Sequence, residues 1–249
     1  MKGAVLPNDW RQDVMHYRRR EFLEEVWAYE GGEHVTVLAP TGGGKTHLGY
    51  QLLDATATRE LPALVFVMKP RDATVDRFTR KTQFRVTREW PPPLRLRLKE
   101  KPRGWVVWPE HTFDPDVDES RQRAVFRKAI LDSYKRGDRI LFADESYSLE
   151  NELPHGALVK EIRTVHTKGR SMECGMWVAS QRAAWISKWS YQAHHLFLGG
   201  DTDADAQKRL SEIGAAVDKA LVRRIVGDLD MHEFLYINRN ARTMCIVEA

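Results

Sequence analysis

Hydrophobic positions fall into short, nearly unbroken apolar runs separated by amphipathic stretches. The runs at 35–38, 63–68, 105–108, 140–143 and 175–180 have strand length and few polar interruptions, as in a sheet covered on both faces. Between them the apolar positions recur at helical spacing. A helix is expected over 17–30, with Phe22, Leu23, Val26, Trp27 and Tyr29 as its apolar members and Gly31-Gly32 as its stop. Others are expected over 47–57, over 119–136 with Val125, Ala129, Ile130 and Tyr134 on one side, and over 156–168. A long amphipathic helix is read over 203–227 from Ala206, Leu210, Ile213, Val217, Leu221 and Ile225, a stripe assigned to core packing. Strand and helix alternate repeatedly, so the expected fold is α/β with a mostly parallel sheet and helices on both faces.

Residues 1–16 read as an irregular lead-in broken by Pro7 and Asn8. With the first helix they form an arm of residues 1–32, ahead of a core over 33–249. The least regular part of that core is 76–103, a basic insertion with Arg77, Arg80, Lys81, Arg85, Arg88, Arg95, Arg97, Lys99, Lys101 and Arg103 around Pro91-Pro92-Pro93. Phe84 and Trp90 are interleaved with these cations, so a face turned to nucleic acid and a solvated loop or subunit contact both remain open. For Arg18-Arg19-Arg20 a solvated face is the preferred reading. Trp185, Trp189 and Tyr191 are read as buried aromatics rather than a subunit contact.

Composition narrows the class. Hydrophobic content of 42% and charged content of 30% are those of an ordinary globular chain, and the net charge of +4 leans mildly towards an anionic partner. Cys174 and Cys245 are the only cysteines, which excludes a disulfide framework and a zinc cluster. Both fall in expected strands, as buried free thiols do. No run approaches a membrane span, and 1–9 lacks a signal-peptide core, so a cytoplasmic protein is expected.

The chemistry starts where the run 35–38 breaks into Ala39-Pro40-Thr41-Gly42-Gly43-Gly44-Lys45-Thr46 and a helix follows at once. Strand, glycine-rich loop and helix in that order make a phosphate cradle. The glycines are expected to take φ > 0 and turn their N–H groups inward, and the helix adds its positive end. Residues 40–47, from Pro40 to His47, are thus the expected nucleotide contacts. Lys45 is placed for the β- and γ-phosphates and the Thr46 hydroxyl for Mg²⁺. Ala39 stands where the usual motif has its first glycine. About a hundred residues later, the apolar run 140–143 ends in Asp144-Glu145. Asp144 at the strand tip is expected to serve the metal, and Glu145 to polarise the attacking water as general base. Gln181 closes the next run, where a side chain can touch both γ-phosphate and water and so report hydrolysis.

The set 39–46, 140–145, Gly169-Arg170-Ser171 and then Trp177-Val178-Ala179-Ser180-Gln181-Arg182 resembles the FtsK–HerA superfamily of DNA-pumping P-loop ATPases, over roughly residues 33–247. The last two pieces are the specific part. The resemblance implies a RecA-like fold with a late strand at 194–198 and a closing β-hairpin at 233–238 and 242–247. It also implies ATP and Mg²⁺ as ligands, and a homo-oligomeric ring in which an arginine of one subunit completes its neighbour's site. Arg170 is the first choice for that arginine, with Arg163 and Arg182 behind it. The chain has no room for the barrel, anchor or winged helix of the larger members. It is most similar to the short packaging ATPases of viruses with double jelly-roll capsids. That implies double-stranded DNA as the substrate, capsid or portal proteins as partners, and host cytoplasm or virion as the location. A plasmid-transfer or chromosome-segregation ATPase and a nucleotide-dependent assembly switch stand as alternatives, with a small-molecule kinase behind them.

Overall fold

Apolar runs this continuous cannot face water on either side, and they assemble into the middle layer of the molecule. The computed structural model describes residues 10–97, 101–154, 157–181, 186–209 and 218–249, except the side chains of Arg97 and Gln207. The strands are β1 (His16–Arg18), β2 (Val35–Leu38), β3 (Ala63–Phe66), β4 (Phe84–Thr87), β5 (Gly104–Val107), β6 (Arg139–Ala143), β7 (Cys174–Ser180), β8 (His195–Gly199), β9 (Phe234–Asn238) and β10 (Thr243–Glu248). They form one sheet in the order β1-β10-β9-β8-β2-β7-β6-β3-β5-β4. From β8 to β4 every neighbouring pair is parallel, and β9 alone runs against the rest. The carboxyl ends of β2, β3, β6, β7 and β8, together with the start of β9, therefore share one edge. In open α/β sheets ligands bind at that edge.

Successive strand residues point to opposite faces. In β6, Ile140 and Phe142 join one apolar cluster while Leu141 and Ala143 join another; Trp177 and Ala179 of β7 split from Met176 and Val178 in the same way. The first face is covered by Leu48, Leu52 and Leu53 of α3 (Lys45–Thr56). Phe126, Ala129 and Ile130 of α6 (Pro115–Arg136), with Ile162 and Val165 of α7 (Val159–Lys168), cover the second. Val222, Ile225 and Val226 of α9 (Lys219–Asp228) close a third cluster over β8, β9 and β10. The remaining helices, α1 (Trp10–Asp13), α2 (Arg19–Glu21), α4 (Ala73–Lys81), α5 (Leu94–Arg97) and α8 (Ala204–Arg209), are short. Gly49 lets α3 lie close on the sheet, since a Cβ there would come within 2.7 Å of the Phe142 ring. Cys174 and Cys245 are buried free thiols, each pushed up to about 12 by burial.

Several expectations change. The helix over 17–30 is much shorter. Residues 16–18 are β1, paired in parallel with β10; α2 and a π-helical turn (Phe22–Val26) follow, and Trp27 is already extended. Extended backbone sends Trp27 and Tyr29, two apart, onto the same sheet face. There they meet Trp177 with ring centroids 5.9 Å and 5.1 Å away. This burial outweighs helix propensity. The stretch 76–103 is more regular than expected: it holds most of α4, then edge strand β4 and α5, while 98–100 lie outside the described residues. The helix over 203–227 is not continuous. Asp218 has extended backbone (ψ 113°) and caps α9 by accepting from the Ala220 and Leu221 N–H groups, which starts a new helix. Residues 210–217 between α8 and α9, among them Leu210, Ile213 and Val217, are outside the described residues. The lead-in contributes α1, whose Trp10 packs into the third cluster. Tyr191 is buried and Trp189 half-buried, whereas Trp185 lies outside the described residues.

The edge opposite the ligand edge carries a histidine cluster. His34, just before β2, is 5% exposed; its Nδ1 accepts from the Met176 N–H at 3.0 Å, and its Nε2 donates to the His166 carbonyl at 3.0 Å. Those bonds require the neutral ring. Burial first, then the neighbouring charge of His194, holds its pKa down to about 4, with Arg170 acting in the same direction and Glu33 against it. Because the unfolded chain takes up this proton near pH 6.5, the contribution is complete above that pH and is lost as pH falls towards 4. That loss is up to about 3 kcal/mol. His166 and His194, both depressed by burial, add in the same sense. The urea midpoint is therefore expected to drop steeply between pH 7 and pH 4.5, and less so in His34→Gln. An equal drop in both would remove His34 as the cause.

Candidate phosphate-binding site

The sequence Pro-Thr-Gly-Gly-Gly directly after buried β2 forces a tight loop at the ligand edge. Gly42 and Gly44 take φ of +82° and +86°, the left-handed region that suits glycine. Gly43 does not, which corrects the expectation for all three. Its lack of a side chain serves space instead, because a Cβ would sit 3.0 Å from the Ala39 Cβ and 3.1 Å from the Pro40 carbonyl. The Gly43 N–H donates back to the Pro40 carbonyl at 3.0 Å. Gly44 caps α3, so Lys45 and Thr46 lie in its first turn, where N–H groups have no helical acceptor. Lys45 is 8% exposed; burial pulls its pKa down, opposed by the charge of Asp144.

Here the expected partners arrive from other strands. Asp144 follows β6 directly, and the Thr46 Oγ1 lies 3.0 Å from both of its carboxylate oxygens. Burial raises the Asp144 pKa, against the pull of Thr46, Lys69 and Lys45. Gln181 follows β7, and its Oε1 accepts from the Thr41 hydroxyl at 2.9 Å. Glu145 is partly buried, and its Oε1 is 2.8 Å from the Lys69 Nζ. Strands β2, β6 and β7 thus bring Thr41, Lys45, Thr46, Asp144, Glu145 and Gln181 to one place. His47, the third residue of α3, has its pKa lowered by burial and then by Arg19 and Arg77.

Arg170 is not at this place. It is exposed in a 3-10 turn (Gly169–Met172) that precedes β7, beside Gly32 at the opposite edge of the sheet. A strand of seven residues separates it from Gln181, roughly 20 Å at about 3.3 Å per residue. It cannot reach the Lys45 of its own chain. Arg163 is exposed in α7, and Arg182 lies outside the described residues.

From sequence, Lys69-Pro70-Arg71-Asp72 reads as a polar loop at the ligand end of the 63–68 run, with no role given to Lys69, and His232 was missed. Lys69 follows the β3 run, and the signal was legible: it is the first polar residue after apolar 63–68. His232 had none. It sits before β9 at φ +71°, and its Nδ1 would be 3.1 Å from a Cβ on Gly44. Arg19 keeps it there, donating to the His232 carbonyl at 3.2 Å and to the Gln51 Oε1 at 3.0 Å. Arg19 is buried and its pKa is lowered to about 10 by that burial, so a solvated face describes Arg18 and Arg20 but not Arg19. Beside the loop, a cavity of about 550 Å³ opens between Thr41, Gly42, Asp201, Asp203, Met231 and His232.

No protein-family model matches the chain, and no curated protein matches it in sequence. Solved structures do match in fold. B204, the DNA-packaging ATPase from Sulfolobus turreted icosahedral virus, superposes with a TM-score of 0.63 at 14% identity, over 88% of this chain and 98% of that one. The genome packaging NTPase B204 from Sulfolobus turreted icosahedral virus 2, in complex with AMPPCP, gives 0.58 at 16% identity, over 86% and 96%. VirB4 of Thermoanaerobacter pseudethanolicus gives 0.61 at 10% identity, over 90% and 92%. The mostly parallel sheet flanked by helices, the glycine loop after β2 and the antiparallel β9–β10 hairpin are therefore the P-loop NTPase fold that these structures share.

Proposed function

We propose that this chain is an ATPase motor that moves double-stranded DNA, working as a viral genome-packaging protein. The observation that carries the reading is the junction of Thr46 with Asp144, 3.0 Å apart though 98 residues separate them, with Lys45 and Glu145 beside it. The likeness to packaging NTPases over nearly their whole length supports the finer part.

In this reading the N–H groups of Gly42, Gly44, Lys45 and Thr46 and the Lys45 ammonium hold the β- and γ-phosphates. The cavity between Thr41 and His232 has room for the nucleoside half. Water attacks the γ-phosphorus in line, the bond to the β-phosphate oxygen breaks, ADP leaves with the electron pair, and the water proton passes to Glu145. Gln181, tied to the loop through Thr41, registers the loss of phosphate. The donor set fits Mg²⁺: one hydroxyl and one carboxylate meet at Thr46 and Asp144, and Mg²⁺ prefers one or two protein oxygens plus phosphate and water. Thr46 and Asp144 would hold it, and it would supply charge neutralisation at the phosphates.

Arg170, on the far edge, suits service to a neighbouring subunit in a ring, where an arginine from outside stabilises the transition-state charge. Exposed Arg71, Arg77, Arg80 and Lys81, on and before α4, offer cations for DNA phosphates near the ligand edge. Capsid or portal proteins are the partners such a motor would meet. No helix among the described residues is long and apolar enough to cross a membrane.

The test is ATP turnover with duplex DNA of increasing length. A motor that tracks along DNA is expected to be stimulated several-fold by long duplexes and less by duplexes of a few turns. A rate indifferent to DNA length would favour the assembly switch over the motor.

A further inference from the structure

Lys69 stands among the groups assigned to hydrolysis, yet the scheme above gives it no work. Its backbone is pinned from two sides. The Lys69 carbonyl accepts from the Trp108 Nε1 at 2.8 Å, and the preceding Met68 carbonyl accepts from the Gln122 Nε2 at 3.0 Å. Three residues on, the Asp72 carboxylate caps α4 by accepting from the Thr74 and Val75 N–H groups at 2.8 Å and 3.2 Å. The side chain, by contrast, is 48% exposed and ends on the Glu145 Oε1 at 2.8 Å. A fixed stem with a free ammonium can change partners without moving the fold.

Two charges compete for that ammonium. Glu145 is one carboxylate. Lys69 lines one pocket with Asp144 and Glu145, and Asp144 is joined through Thr46 to the loop that carries Lys45, so both ammonium groups serve the same small region. A terminal phosphate there carries about two negative charges and three acceptor oxygens, against one charge on a carboxylate. While Lys69 holds Oε1, that oxygen is a poor acceptor for a water proton.

Resting on the ATPase reading, we propose that Lys69 is a positioning residue that exchanges partners, leaving the Glu145 carboxylate for the γ-phosphate of ATP. The exchange frees the base only when a triphosphate is present, and it makes Lys69 a determinant of the preference for ATP over ADP. ADP, lacking the γ-phosphate, leaves Lys69 on Glu145.

The experiment compares Lys69→Met and Lys69→Arg with wild type. It measures affinity for ATPγS and for ADP by calorimetric titration, together with steady-state turnover. For Lys69→Met the expected result is an ATPγS affinity lowered about tenfold with ADP affinity unchanged, as for loss of one charge-assisted contact. Turnover should fall as well, and Lys69→Arg should recover most of both. Equal losses for ATPγS and ADP, or no loss for either, would overturn the exchange while leaving the ATPase reading intact. Failure of the wild-type chain to bind either nucleotide would overturn both.

Discussion

Glu145→Gln is expected to bind ATP about as well as the wild-type chain and to lose turnover by a factor of about 10² to 10⁴. The substitution keeps the shape and one acceptor oxygen but removes the charge that takes the water proton. Burial of Glu145 is partial and its ion pair with Lys69 is half-exposed, so the fold should not depend on it. The measurement is phosphate release in steady state beside nucleotide affinity. Turnover within twofold of wild type would take the base role away from Glu145.

The second large effect is expected from Lys45→Ala. Lys45 is 8% exposed in the first turn of α3, and the charges around it are Asp144, Glu145 and Lys69. A triphosphate placed there would lose its most enclosed cation, a charged contact of about 3 kcal/mol or more, which is at least a hundredfold in affinity. Thermal unfolding would show whether the protein is otherwise intact, since removing a buried ammonium beside another lysine relieves repulsion as well as removing a partner for Asp144. Unchanged affinity for ATP in a folded Lys45→Ala protein would mean that the nucleotide, if bound, sits elsewhere.

Much of this was legible in the sequence, for a physical reason. Strands buried on both faces have to be apolar throughout, so β2, β3, β5, β6 and β7 stand out as runs, and the residue ending each run marks the ligand edge. That made Lys45, Thr46, Asp144, Glu145 and Gln181 readable one by one, and the structure brings them together. Three things were not legible. The segment 27–30 looks helical because Leu23 and Trp27, and Val26 and Tyr29, continue the helical spacing, whereas Trp27 and Tyr29, two apart, fit a strand; only the sheet face with Trp177 decides between them. The break in the 203–227 helix turns on Asp218 acting as a cap rather than as a solvated helix residue. His232 depends on strand order, since β9 must run against its neighbours to bring the preceding turn to Gly44. Arg170 was named from resemblance alone, and the sheet explains what it cannot do: it is a strand's length from its own chain's site.

The most direct check of the convergence of Lys45, Asp144, Glu145 and Gln181 on one triphosphate is a calorimetric titration of the wild-type chain with a non-hydrolysable ATP analogue in Mg²⁺. The account predicts one site per chain, with affinity that collapses when Mg²⁺ is chelated, because Thr46 and Asp144 would then face each other and the phosphates without it. Absence of binding, or binding indifferent both to Mg²⁺ and to Lys45→Ala, would contradict it.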